Sequence, residues 1–176
     1  MTPADFALLK QDILARANLA DAVAAADDQA IADWYNETAQ TGDFATPLKL
    51  WKPRVSIQEI NAVVDWTAQP AYPAVTPNPA TDTDKLLALN AQWMKWQSMT
   101  WAAFIDMTDP QVRQGIDSIW GQNSTTATGL KTIVGKLDGA RFQVLLSGAG
   151  VGGARVSRVF GETLTPQQVS LALRNS

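Results

Sequence analysis

A mainly α fold is predicted, a helical bundle of about five to six helices with a Pro-rich arm and one short C-terminal β element. Three observations carry that prediction. Apolar residues recur at three- and four-residue steps through most of the 176 residues. Capping residues stand immediately before these runs. Four of the nine prolines crowd into residues 69–83, a stretch that cannot be helical and reads as a surface arm or long loop with polyproline character.

The elements follow in order. Thr2-Pro3-Ala4-Asp5 pairs a capping hydroxyl with Pro at the first helical position, and Phe6, Leu9, Ile13 and Leu14 continue a helix over about residues 3–16. Residues 20–26 are Ala-rich and ambiguous. A second helix starts near Asp27 or Asp28, carries Ile31, Trp34 and Tyr35 on one face, and is broken by Thr41-Gly42-Asp43. Residues 44–55 are extended. Ser56 and Glu59 form a capping box for a helix to about Thr67. A long helix over about residues 84–104 sets Leu86, Leu89, Trp93, Trp96, Thr100, Trp101 and Phe104 in a broad apolar stripe, expected to be core. Asp109-Pro110 starts the next helix, which Gly121 stops. Ser124 or Thr125 starts another that reaches Ser147, weakened by Gly135 and Gly139 at about 1 kcal/mol each relative to Ala. Arg155 to Phe160 alternates as the one credible strand, and Thr165 with Gln168 caps a last helix. The expected division is a helical domain over 1–147, including the 69–83 arm, and a hinge, strand and helix arm over 148–176.

Composition excludes more chemistry than it suggests. The chain has no Cys and no His, so disulfides, thiolate nucleophiles, the usual zinc sites and His-based triads are ruled out. No basic and apolar leader follows Met1, and no apolar run is long enough to span a bilayer, so a soluble protein of cytosolic origin is expected. The net charge of -3 hides a split. Residues 1–48 hold two basic against eight acidic residues, a net of -6, whereas residues 130–176 hold six basic against two acidic, a net of +4. Such a pattern suits head-to-tail packing of identical subunits.

Chemical motifs are sparse. Gly148, Gly150 and Gly153 match G-x-G-x-x-G, but the string follows a helix and precedes a strand, the reverse of a dinucleotide site, so it reads as a turn. Asp106 and Asp109 are the best carboxylate pair for a metal-dependent hydrolase, and their position reads better as helix capping. No cofactor, metal ligand or catalytic residue is assigned. Trp51, in the basic extended segment with Lys52, Pro53 and Arg54, either anchors a loop to the core or meets a partner. Exposed Trp residues also leave open a saccharide-binding module of a tail or host-contact protein.

Four segments together resemble a group of small structural proteins of tailed bacteriophages: WKPRVSIQEINAVVDWT (51–67), IDMTDPQVRQGIDSIWG (105–121), TTATGLKTIVGKLDGARFQVLLSGAG (125–150) and RVFGETLTPQQVSLALR (158–174). The resemblance implies a virion protein and not an enzyme, assembled in the host cytoplasm as a head–tail connector or adaptor of the neck. It further implies a homo-oligomeric ring, twelve-fold as in adaptors, docked on the portal and on tail or other neck proteins. No membrane is involved, and DNA passes nearby without specific binding. Residues 69–83 depart from the pattern as an insertion. Thr128-Gly129 and Gly139-Ala140 stand where similar proteins often carry Thr-Arg and Lys-Arg, which weakens any DNA-facing role for that segment. The residues expected to make subunit or portal contacts are Trp51, Lys52, Arg54, Tyr72, Arg155, Arg158 and Phe160.

Overall fold

The computed structural model describes residues 1–45, 47–67, 81–121, 123–148, 150 and 152–174. Among them the fold is mainly helical, with nine α-helices, most of them short, and four strands of two or three residues. The chain divides into two compact units, Met1–Leu50 with Asp138–Ser176, and Trp51–Leu137. That differs from the expected boundary at 147/148. The last helix completes the first unit instead of forming an arm.

In the first unit, Thr2 and Asp5 exchange hydrogen bonds in a capping box that opens α1 (Pro3–Ala15). A 3-10 turn (Ala17–Leu19) leads to α2 (Ala20–Ala24). Ala26, in the left-handed region at φ 55°, turns the chain so that Asp27 can cap α3 (Asp28–Asn36). Later come α8 (Arg141–Leu145) and α9 (Pro166–Arg174). Their apolar faces meet in one core: Leu9 and Ile13 of α1, Ile31 and Tyr35 of α3, Phe142 of α8, then Val159, Leu164, Val169 and Ala172. Asn36 fixes the approach to α9. Its amide nitrogen donates to the Leu164 carbonyl at 2.8 Å, and its oxygen accepts from the Leu164 amide at 2.7 Å.

The second unit holds β2 (Val55–Ser56), α4 (Ile57–Asn61), α5 (Asp82–Thr100), β3 (Phe104–Ile105), α6 (Pro110–Trp120), α7 (Ser124–Thr128) and a π-helical turn (Gly129–Val134). Strand β1 (Lys49–Trp51) pairs with β4 (Lys136–Asp138), and β2 runs antiparallel to β3 with Val55 opposite Ile105. The Ser56–Glu59 box and the Asp109 cap form as the sequence predicts. Ile60, Trp96, Ile116, Ile119, Trp120 and Leu130 are buried in this unit.

Three expectations need correction. The helix expected over 125–147 breaks into α7, the π turn, β4 and α8, because its glycines are sites of close approach. A Cβ on Gly135 would lie 2.6 Å from the Met107 side chain, and one on Gly139 2.8 Å from Leu50. The strand expected at 155–160 is reduced to isolated bridges, Arg155 with Leu50 and Ser157 with Ser147. Residues 152 and 153 are glycines at φ 57° and 76°, a turn only Gly adopts cheaply. Finally, α5 begins at Asp82, and the expected arm lies outside the described residues up to residue 80.

Removing residues 148–176 is expected to unfold the first unit. Burial of each large aliphatic side chain contributes about 1.5–3 kcal/mol, and Val159, Leu164 and Val169 leave together. Circular dichroism of the truncated chain should show lost helix beyond α9 itself and no cooperative melt of that unit.

Candidate functional site

The most concentrated polar chemistry of the first unit lies around Trp34. The Arg141 guanidinium sits 4.1 Å from the Trp34 ring centre and that of Arg16 4.6 Å from it, while Arg16 also lies 4.7 Å from the Phe44 ring. Such contacts stabilise guanidinium groups partly removed from water. Arg16 donates to both Asp12 oxygens at 2.6 and 3.2 Å, and the Tyr35 hydroxyl donates to Asp12 at 2.5 Å. Arg141 donates to Asp43 at 2.7 Å, Glu37 at 2.6 Å and the Trp34 carbonyl at 2.8 Å. Burial pushes the Tyr35 phenol up strongly and Asp12 adds to it, so the hydroxyl stays protonated as a donor.

Ion pairs within the first unit take up part of the charge split. Arg141 meets Glu37 and Asp43, Arg158 meets Asp5 at 2.6 Å, and Arg174 meets Asp28 at 2.6 Å. Three arginines of the basic C-terminal segment thus meet four acidic residues of the N-terminal one within a single unit. Head-to-tail packing of copies is not needed to account for that part of the split.

The residues expected to touch partners divide between the two units. Trp51 is 2% exposed, with the Arg113 guanidinium 4.7 Å and the Lys136 ammonium 4.8 Å from its ring centre. It is a loop anchor with no surface to offer. Lys52 pairs with Glu59, and its backbone bonds Gly135 and Met107. Arg54 is exposed and lies 4.0 Å from the Phe104 ring centre. Arg155 donates to the Ala45 and Val144 carbonyls, and Arg158 to Asp5 and the Leu146 carbonyl. Phe160 is half-buried, and Tyr72 lies outside the described residues.

The tryptophan stripe of α5 is core only in part. Trp96 is buried and meets Trp120 edge-on at 5.4 Å, and Trp93 does the same at 5.5 Å. The exposed Trp66 lies nearly parallel to Trp93 at 6.3 Å. Trp101 and Leu86, expected in the core, are exposed. Trp101 follows Trp96 by five residues, which turns it about 140° around a helix at 100° per residue. Opposite the buried side lies a second apolar line, Leu87, Met94 and Trp101. The seven-residue spacing was the readable signal for it.

Asp106 and Asp109 are engaged locally. Asp106 accepts from the Thr108 amide and hydroxyl, and Asp109 from the Gln111 amide. Among the described residues no group of three or more His, Cys, Asp or Glu is placed to hold a metal ion. None of their helices is long and apolar enough to cross a membrane. An apolar groove of about 480 Å³ runs along the end of α1 and α2, lined by Ile13, Leu14, Ala17, Ala20 and Val23 with Arg16 at its side.

Three carboxyls are held below their ordinary range. Asp5 accepts from the Thr2 amide, which outweighs its burial, and the Thr2 hydroxyl and Arg158 add to it. Burial works against the Asp43 charge, but the Gln40 amide, Arg141 and Arg16 prevail. Glu59 is lowered first by Lys52, then by the Ser56 amide. A carboxyl lowered in the folded state contributes stability above its unfolded value of about 4, lost as pH falls through the folded value. The melting temperature should therefore fall steadily below about pH 4.5, and Asp5→Asn should be less stable at pH 7 with a shallower acid limb. Arg141→Ala should cost about 2–3 kcal/mol in urea unfolding, since it strands Asp43 while Glu37 stays solvated. Compared with known proteins, the chain matches no family model, no curated protein and no solved structure.

Proposed function

We propose that this chain is a structural component of a phage particle, a ring-forming head–tail connector or adaptor that docks on the portal and joins head to tail. The observation that carries the reading is the ordered resemblance of residues 51–67, 105–121, 125–150 and 158–174 to small phage structural proteins. The segments fall on folded elements of both units: β2 with α4, β3 with α6, α7 to α8, and α9. In this reading the helices make up the bundle-like body of a connector subunit. The exposed apolar side chains of α5, with Leu14 and Ile133, add support, because such surface is normally covered by association. The charge split adds little, since three of the C-terminal arginines are already paired with N-terminal acids within the first unit.

Exposed Trp66, aligned with Trp93, favours a second reading, saccharide binding on a tail or host-contact protein. Two measurements separate the readings. Electron microscopy of the chain with purified portal should show rings seated on the portal, and immunoblots of purified particles should contain the chain. Absence from particles together with failure to bind portal would sink the connector reading. Tryptophan fluorescence against a glycan panel should stay flat, and a saturable change would favour the second.

A further inference from the structure

Helix α5 spends little of its length on its own unit. Of its 19 residues, Gln92 and Trp96 are buried. Leu87, Met94 and Trp101 are 63%, 63% and 90% exposed. Spaced by seven residues, they lie about 140–180° around the helix from Trp96, drifting only about 20° per heptad, so they form one straight line roughly 21 Å long. Leu86, 68% exposed, widens its apolar edge.

The flanks of this line are unequal. On one side stand Asp84 and Lys95 with the small residues Ala91 and Ser98. The other side carries Leu86, Asn90 and Gln97 and no charge. Asp84 and Lys95 are both exposed, and Lys95 has no acidic partner among the described residues, whereas the neighbouring Lys85 is paired with Asp82. In two antiparallel helices the same flank of each copy faces its counterpart, whereas in two parallel helices opposite flanks meet. With Leu87 of one copy set against Met94 of the other, Asp84 comes within about two residues' rise, roughly 3 Å, of the position facing Lys95 of the other copy. The two-fold axis repeats the pair. A parallel arrangement would leave both charges facing an uncharged flank.

The geometry points to a second copy of this chain as the occupant of the Leu87–Met94 stretch of this line, with α5 packed antiparallel on α5 of the other copy about a two-fold axis and Asp84 paired with Lys95 in both directions; in this register Trp101 lies beyond Asp82, the first residue of the other copy's α5. The contact is isologous, so it pairs free chains and does not close a ring, whose contacts are heterologous. It therefore stands or falls independently of the connector reading. One helix per copy covers less than the roughly 800 Å² per partner of a standard interface, so the dimer is weak and depends on concentration.

The test is sedimentation velocity of the full chain from about 1 to 500 μM, a range chosen for weak association. A monomer–dimer equilibrium is expected. Met94→Glu should abolish it while leaving circular dichroism and the melting temperature unchanged, because the residue is exposed. Asp84→Lys and Lys95→Asp should each weaken the dimer roughly tenfold, since each loses both symmetric pairs and sets like charges opposite. The double exchange D84K/K95D should restore most of the affinity, as expected for directly coupled residues. A monomer at every concentration overturns the proposal, as does a dimer that tolerates Met94→Glu. Failure of the double exchange to rescue overturns the antiparallel register.

Discussion

The Arg141 guanidinium holds the first unit closed. It lies over Trp34, bonds two carboxylates and a carbonyl, and comes from a stretch of chain about a hundred residues beyond its partners. Everything between, the whole second unit, is an insertion into the first. Closing so long a loop costs little more than closing a shorter one, because loop entropy grows only with the logarithm of length. The cost falls instead on the ends, which must find each other with enough specificity to exclude other pairings. Arg158 with Asp5, Arg174 with Asp28, and the two-way bond between Asn36 and Leu164 supply it. Each joins the N-terminal helices to the C-terminal stretch by a directional contact. The apolar core beneath supplies the bulk of the free energy.

Where the sequence was legible, the determinants were local. Thr2 with Asp5, Ser56 with Glu59, Asp109 before Pro110 and Thr165 with Gln168 each sit within three residues of one another, and each marks a helix start that the structure contains. What could not be read were the long-range constraints. Periodicity alone carried a helix through Gly135 and Gly139, because nothing nearby announces that Met107 and Leu50 occupy the space a side chain would need. The tryptophans of α5 were misjudged for a related reason. Trp93, Trp96 and Trp101, three and five residues apart, spread over about 140° of the helix, and only the packing partner, Trp120, decides which part of that arc is inside.

The charge asymmetry teaches the same point about function. A sum over segments has no geometry in it, and a -6 against a +4 is equally suited to a neighbour or to the chain's own other end. Four arginines are spent inside the first unit, on Asp12, on Glu37 and Asp43, on Asp5 and on Asp28. Apolar exposure is the better guide to association here. A side chain of Trp101's size held in water is a standing free-energy deficit, whereas a paired arginine has nothing left to gain.

The nesting of one unit inside the other also sets an order of events during synthesis. Residues 51–137 are contiguous, so the second unit can fold as soon as it leaves the ribosome. Helices α1 to α3 emerge first, yet their core stays open until α8 and α9 arrive. Asn36 waits for Leu164, 128 residues later, roughly 6–25 s at bacterial-to-eukaryotic elongation rates of about 5–20 residues per second. During that interval Leu9, Ile13 and Ile31 are uncovered. Of the two units, the one whose synthesis starts earlier is thus the later to mature, and the more dependent on protection while the rest is being made.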